Sequence, residues 1–555
     1  MSDVGMSDVG MRDAGMRDAA PHSKEILDRA KSWLAAEPDA DVQLELALLI
    51  DGPADALAAR FDGRLQFGTA GLRGEMGAGP LRMNRLVVRQ AAAGLGRYVL
   101  DQWPDEAGER GIIIGYDARR KSDDFALDTA RVLAAMGIRA LLLPVPLPTP
   151  VLAWNIRAHN AIAGVVVTAS HNPPADNGYK VFLGDGAQIV PPHDIGIAAC
   201  IDQFDPCAVP LSAVDDPLIV RLDDAPLQRY LASVRAVRML PDLAGGPVAY
   251  TAMHGVGGAT LLAAFERSNL PAPFVVAEQQ QPDGSFPTVS FPNPEEPGAM
   301  DLLLARAEAS GALLALANDP DADRLGAAIP SIDASGGVAG WRRLTGDEIG
   351  WLLGDHILRH TSGDDRLVIT TVVSSSMLSR MAAFHGVHFE ETYTGFKWIG
   401  RVALDHPDLN FVFGYEQALG YLVCKQPMDK DGITAGVLLA EVAALAAAEG
   451  VTLQDRLDAL AEQFGRHVVA DLSIRLDPVD AAAKVAAMRA NPPSEVGGHA
   501  VTGVEWYQEA GLLRLWLNDV RLQIRPSGTE PKVKLYGEAI GSDPAPLLQS
   551  LAALL

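Results

Sequence analysis

Three short runs carry residue types able to move or hold a phosphoryl group. Thr168-Ala169-Ser170-His171-Asn172-Pro173-Pro174 follows the apolar stretch 161–167. A hydroxyl nucleophile therefore falls in a sharp turn, where a buried strand can hold it still. Asp319-Pro320-Asp321-Ala322-Asp323-Arg324 follows the apolar run 313–317. Carboxylates at alternate positions of a tightly curved loop converge three hard oxygens on one cation, a set that suits Mg2+ and leaves it positions for phosphate oxygens. Arg525-Pro526-Ser527-Gly528-Thr529-Glu530-Pro531 combines a guanidinium, two hydroxyls and a glycine that lets backbone N–H groups approach an anion, with Lys532 and Lys534 nearby. Those are the parts of a phosphate cradle. Nucleophile, cation cage and anion cradle together predict phosphoryl transfer.

Each run has a plainer alternative. A serine needs a base or a phosphoryl site around it to act, and otherwise is an ordinary turn residue. The hydrolase elbow G-x-S-x-G is absent, because Thr168 and Asn172 occupy its glycine positions. Lys180, in Asn177-Gly178-Tyr179-Lys180, offers a cation or proton shuttle; burial near another cation lowers a lysine's pKa into the acid–base range. His171 is expected to orient the loop, since neighbouring side chains in extended chain point opposite ways. A calcium loop is excluded: Arg324 stands where glycine is required and Pro330 where glutamate is. A phosphatase using Asp319 as nucleophile is the serious rival, although Asp323 stands where that class usually has Thr or Val. A solvated acidic turn is disfavoured, because three carboxylates so close repel without a counter-ion. Glu416 and Ala418 in Gly414-Tyr415-Glu416-Gln417-Ala418-Leu419-Gly420-Tyr421, the turn Thr394-Gly395-Phe396-Lys397, and Arg73 in Phe67-Gly68-Thr69-Ala70-Gly71-Leu72-Arg73-Gly74 are weaker ligand-contact signals.

These runs need scaffolds. Ile112-Ile113-Ile114 reads as a buried strand, 122–136 as a helix, and Leu141-Leu142-Leu143 as a second strand. The order recurs as Val248-Ala249-Tyr250, a helix over 258–267 and Phe274-Val275-Val276. It recurs again as Leu367-Val368-Ile369, a helix over 374–384 and Val387-His388-Phe389. Strand, helix, strand predicts three similar α/β domains with mixed, mainly parallel sheets covered on both faces. Short strands over 468–476, 503–507, 512–517 and 521–525, with a helix over 481–488, predict a C-terminal α+β domain that presents Arg525. The expected domains are 61–215, 216–330, 331–462 and 463–555. A helical lead-in over 21–60 precedes them, with Ile26, Leu27, Ala30, Trp33 and Leu34 on one face and Ser23 as N-cap. Residues 1–20 repeat a five-residue unit and are expected to be a disordered tail or a start-site artefact.

Composition bounds the partners. At 48% hydrophobic and 21% charged, the 555-residue chain can build several cores. A net charge of −24 argues against nucleic-acid binding, and an anionic substrate would need a locally positive cleft. Cys200, Cys207 and Cys424 form no redox or zinc spacing. No apolar run approaches a membrane span, and Asp3, Asp8 and Asp13 interrupt any signal pattern. The expectation is a cytoplasmic protein without nucleic-acid or membrane partners.

The three runs, in this order, resemble the α-D-phosphohexomutase superfamily (phosphoglucomutase and phosphomannomutase) from about Gly68 to the C-terminus. Thr394-Gly395-Phe396-Lys397-Trp398 and the sugar loop, which lacks the common Glu-x-Ser-Gly, look closer to the phosphoglucomutase-2/phosphopentomutase branch. The resemblance implies a four-domain architecture. It implies that Ser170 is the phosphoserine, that Asp319, Asp321 and Asp323 bind Mg2+ with an oxygen on Ser170, and that Lys180 is the acid/base. Arg73 and His171 would assist the transfer. Arg324, Thr394, Gly395, Lys397, Glu416 and Ala418 would contact the sugar phosphate, with Arg525, Ser527, Gly528 and Thr529 on its non-reacting phosphate. The implied activity interconverts sugar 1-phosphate and 6-phosphate, most readily glucose, through a sugar 1,6-bisphosphate, in a monomer or homodimer. Phosphomannomutase or phosphopentomutase activity of the same mechanism is the alternative, and a catalytically silent sugar-phosphate sensor is a further rival.

Overall fold

The computed structural model describes residues 21–333, 337–526 and 532–555. Three α/β sheets follow one another along the chain, and a fourth, all-antiparallel sheet closes it. The first sheet has the order Leu72–Glu75, Asp176–Leu183, Ala163–Val167, Ile112–Tyr116, Ala140–Leu142, Ile219–Arg221. The second has the order Val338–Arg343, Leu325–Ile332, Leu314–Asn318, Val248–Thr251, Phe274–Val275, and the third His388–Thr392, Arg366–Thr371, Asn410–Glu416, Gly420–Leu422. The inner strands of each pair in parallel, which is why they read as unbroken apolar runs: Ile112, Ile113 and Ile114 are all buried.

In all three sheets one of these inner strands ends in a hairpin to an antiparallel partner. Ala163–Val167 returns as Asp176–Leu183, Leu314–Asn318 as Leu325–Ile332, and Asn410–Glu416 as Gly420–Leu422. The hairpin tips hold Ser170, the aspartate trio and the sugar loop. Loops at the carboxyl ends of parallel strands are where open α/β sheets put ligands. The same architecture built three times thus delivers three different chemical parts.

The first sheet extends to Ile219–Arg221 and the second to Val338–Arg343, beyond the limits of 215 and 330 expected from turn residues. A strand of three residues and one with no buried residue carry too little apolar periodicity to announce themselves. The first helix runs Pro21–Ala36, so Ser23 lies inside its first turn and does not cap it. Residues 1–20, expected to be a disordered tail, lie outside the described residues. The helices over 21–61 pack Trp33, Leu46, Leu57 and Phe61 into the core of the first domain.

Helix Gly432–Ala448 is buried on nearly every face, and Asp431 caps it, accepting from the N–H groups of Ile433 and Thr434 at 3.0 Å each. A helix buried on nearly every face is a core element. No single helix among the described residues is long and apolar enough to cross a membrane. The fourth sheet, His467–Arg475, Lys532–Ile540, Val520–Pro526, Leu512–Leu517, Gly503–Tyr507, has its own core under helices Pro478–Ala490 and Ala545–Ala552.

Candidate active site

Ser170 takes a left-handed backbone conformation (φ +53°), three residues after its strand, and its N–H donates to Thr168 Oγ1 at 2.8 Å. That turn directs its hydroxyl away from its own domain: Oγ donates to Asp319 Oδ2 at 2.9 Å. It also brings His171 Nδ1 to 3.3 Å from Oγ, a contact the expected extended alternation forbade. Burial, with Arg324 and Arg73 beside it, holds the His171 imidazole pKa well below its ordinary value, which favours the neutral ring.

Lys180 returns along the hairpin opposite Val166. Its ammonium donates to Asp321 Oδ2 at 2.6 Å and Asp323 Oδ2 at 2.7 Å. Burial alone would lower its pKa, as anticipated from sequence, but Asp321 and Asp323 outweigh burial and raise it. The lysine is a charged proton holder.

The three aspartates are fully buried, and their oxygens lie within 4.8 Å of one another. Burial, then Asp321 and Asp323, push the Asp319 carboxyl well above its usual range. At Asp323 burial is overcome by Lys180, Lys430 and Arg324, and the carboxyl sits far below that range. Thr149 Oγ1 adds a hydrogen bond to Asp321 Oδ2 at 2.6 Å. Yet Asp321 Oδ1 and Asp323 Oδ1 are buried without a hydrogen-bond partner among the described residues. Buried carboxylate oxygens left unpaired are costly. Three convergent hard oxygens, two of them orphaned, fit a divalent cation such as Mg2+.

Arg73 lies on the edge strand opposite Gly178; its Nη1 is 3.5 Å from Asn172 Oδ1, and its Nε is buried and unpaired. The turn before it is closed to other residues: a Cβ on Gly71 (φ +73°) would stand 1.8 Å from the Tyr179 carbonyl oxygen. On the sugar side, Glu416 ends its strand, buried, its pKa raised by burial against the pull of Lys430 and Arg324. Arg324 Nη1 donates to the Ala418 carbonyl at 2.7 Å, and Leu325 N–H to the Leu419 carbonyl at 3.1 Å. The loops bearing Asp323 and Ala418 are thereby laced together across two domains. A Cβ on Gly432 would lie 2.2 Å from the Arg324 carbonyl oxygen, so the third domain's helix also seats against this loop.

Thr394 Oγ1 is buried and unpaired, and Gly395 (φ +110°) opens helix Phe396–Asp405. Lys397 Nζ donates to Thr69 Oγ1 in the first domain. Arg525, next to last in its strand, pairs opposite Lys534, and its Nε is buried without a hydrogen-bond partner among the described residues. It is close enough to Lys397 to contribute to that lysine's lowered pKa. Ser527, Gly528 and Thr529 lie outside the described residues.

The site contains residues the motifs did not announce. Lys430 Nζ lies 3.4 Å from Asp323 Oδ2 and 5.5 Å from the Phe396 ring centre. Asp429-Lys430-Asp431-Gly432 at the start of a long apolar helix was the available signal. Thr149 had none, since only the docking of the first domain on the second brings it to Asp321.

The chain matches the phosphoglucomutase/phosphomannomutase family models for α/β/α domain I over residues 64–206, domain II over 228–331 and domain III over 345–464. The chain belongs to the phosphoglucomutase/phosphomannomutase family, within the α-D-phosphohexomutase superfamily and its phosphoglucomutase-2-like branch, and is a phosphosugar mutase, an isomerase. It is 42% identical over 474 residues to a Haemophilus influenzae protein named probable phosphomannomutase, covering 83% of this chain and 94% of that one. Identity is 34% over 558 residues to a Schizosaccharomyces pombe protein named probable phosphoribomutase, with 93% of both chains covered. The fold matches a Burkholderia thailandensis phosphoglucomutase/phosphomannomutase family protein with a TM-score of 0.67, at 21% identity, over 88% of this chain and 96% of that one.

Proposed function

We propose that the enzyme interconverts aldose 1-phosphate and the terminal phosphate of the same sugar, glucose 1-phosphate and 6-phosphate foremost, through a phosphoryl group carried on Ser170. The observation that carries this reading is Ser170 Oγ hydrogen-bonded at 2.9 Å to the aspartate trio, whose other members hold Lys180. A Mg2+ bound by Asp319, Asp321, Asp323 and an oxygen on Ser170 would offset charge on the transferring phosphoryl. In the first transfer the sugar hydroxyl oxygen bonds to phosphorus, the Ser170 Oγ–P bond breaks, and the hydroxyl proton reaches Ser170 Oγ by way of Lys180. The product is a sugar 1,6-bisphosphate, which turns over and returns its other phosphoryl to Ser170. Arg73 and neutral His171 steady the transfer, while Glu416 and the Ala418 turn face the sugar. Arg525, with Ser527, Gly528 and Thr529, grips the idle phosphate, and Thr394, Gly395, Lys397 and Arg324 complete the contacts.

The proposed domains are 61–215, 216–330, 331–462 and 463–555, with strands Ile219–Arg221 and Val338–Arg343 each completing the sheet of the domain before it. The fourth swings to exclude water, which would otherwise hydrolyse the phosphoserine. The small-molecule sugar phosphates are the only partners this reading needs.

A pentose reading is favoured by one observation: Ala418 stands in the sugar loop without the usual serine, in a chain 37% identical to a human protein named phosphopentomutase. A human protein named glucose 1,6-bisphosphate synthase is 35% identical and supports the hexose reading. Coupled assays with glucose, mannose and ribose 1-phosphates side by side decide between them. Isomerisation without net phosphate release is expected, fastest with glucose 1-phosphate. A higher kcat/KM for ribose 1-phosphate moves the assignment to pentoses, and stoichiometric phosphate release ends the mutase reading.

Lys397 gives the reaction a pH limit. Burial brings its pKa down to about 8, with Lys430 and Arg525 acting in the same direction and Glu416 and Asp194 opposing. The ammonium that attracts phosphate is present below that pH and lost above it, so kcat/KM should fall as pH rises through about 8. Lys397→Met should lower kcat/KM roughly ten- to hundredfold at pH 7 and flatten that limb. An unchanged alkaline limb in the variant removes Lys397 from phosphate binding.

A further inference from the structure

We infer that Arg119, in Asp117-Ala118-Arg119-Arg120, is the positioning residue that holds the Ser170 loop in its transfer-competent shape; the inference rests on the phosphoserine reading above. Its guanidinium gathers four carbonyl oxygens of that loop. Nη2 donates to Ser170 O at 2.7 Å and Asn172 O at 2.6 Å, and Nη1 to Pro173 O at 2.8 Å and Asp176 O at 3.0 Å. The side chain is fully buried.

A loop of this kind needs such a centre. Ser170 sits in the left-handed region, where a residue with a Cβ stays only if its surroundings over-determine it. The loop's own backbone bonds are few: Asn172 N–H to Ala169 O and Asp176 N–H to Pro173 O. Without the guanidinium the Ser170 and Asn172 carbonyls would lose the donor they share, and Pro173 O would keep only the Asp176 N–H. Satisfying all of them from one planar fork fixes their mutual geometry, and with it the direction of Ser170 Oγ.

The fork is itself held. Asp117 Oδ1 accepts from the Arg119 N–H at 3.0 Å and from Ser122 Oγ at 2.8 Å, and Asp117 Oδ2 lies 3.4 Å from Arg119 Nε. Asn177 Nδ2 ties the returning strand to Arg120 O and Ser122 Oγ. From the second domain, the Phe286 ring covers the guanidinium with its centre 5.1 Å from Cζ. A Cβ on Gly284 would lie 2.5 Å from the Ala118 carbonyl oxygen, so the segment bearing Phe286 seats tightly on this turn. The nucleophile loop is therefore braced against the same domain that supplies the aspartate trio. A lysine at 119 would keep the charge but, as a compact ammonium on a flexible stem, could not bridge four carbonyls in a plane.

Arg119→Lys separates geometry from charge. The expected result is a kcat lower by about a hundredfold, with KM within about threefold of wild type and the Mg2+-induced rise in thermal midpoint retained. A kcat within about twofold of wild type overturns the inference. So does a matching loss of KM and of the Mg2+ response, which would mark a general structural role. If Arg119→Lys fails to fold, Phe286→Leu, which removes only the covering ring, is expected to lower kcat roughly three- to tenfold at constant KM; an unchanged kcat there overturns it. Ser170→Ala is assayed beside them. An active Ser170→Ala enzyme refutes the phosphoserine reading itself, whereas an inactive one with a wild-type-like Arg119→Lys refutes the positioning role alone.

Discussion

Ser170→Ala should abolish mutase turnover, by roughly 10⁴–10⁶-fold, the scale on which removing a covalent nucleophile acts. The fold should survive. Alanine tolerates the same backbone conformation as serine does, and the Thr168 Oγ1 acceptor and the four Arg119 bonds engage backbone atoms that the substitution leaves in place. Asp319 loses one donor to Oδ2 but keeps the Arg324 N–H on Oδ1 at 3.1 Å. Sugar-phosphate binding, assigned above chiefly to groups other than Ser170, should change little. Intact-protein mass after incubation with the sugar bisphosphate supplies the second readout: wild type gains one phosphoryl that maps to Ser170, and the variant gains none. A variant with near-normal turnover, or a phosphoryl mapped to Asp319, would replace the mutase by the aspartyl phosphatase weighed above.

Chelation of divalent cations should silence the enzyme, and Mg2+ should restore it. The physical reason is the trio itself. Two like charges about 4 Å apart repel by about 4 kcal/mol at an effective dielectric near 20, and here three carboxylates are buried together. Lys180 and Lys430 relieve part of that, leaving Asp321 Oδ1 and Asp323 Oδ1 unpaired. Asp319→Asn should therefore act in opposite directions on stability and activity. Turnover should drop by about 10²–10³-fold, as when one electrostatic element of a transfer site is removed. The thermal midpoint without metal should hold or rise, because a neutral amide replaces a carboxyl whose charged form burial, Asp321 and Asp323 disfavour, while the Mg2+-induced increase expected for wild type disappears. A variant that keeps the Mg2+ shift shows that Asp319 is no ligand.

Much of this was written in local sequence. The buried strands Ile112–Tyr116, Val248–Thr251 and Arg366–Thr371 were legible because strands covered on both faces are apolar without alternation. The edge strands Ile219–Arg221 and Val338–Arg343 were not, the first having only three residues and the second no buried residue. The aspartate cage was legible because its members are neighbours in the chain. Lys430 and Thr149 reach it from other domains, and no local pattern reports a pairing across 107 or 172 residues of chain.

Sequence alone determined the chemical vocabulary: which residue types were present, the alternation that converges three carboxylates, and the hydroxyl in a turn after a buried strand. Tertiary structure decided the protonation and the partnerships. Lys180 seemed a candidate for a lowered pKa until the hairpin placed it between Asp321 and Asp323. His171 seemed to point away from Ser170 until the left-handed turn brought its ring alongside. Arg119 carried no signal until the fold wrapped four carbonyls around it. Composition and spacing are properties of the chain, whereas electrostatic fields and hydrogen-bond closure depend on distances through space, and those exist only once the domains have packed.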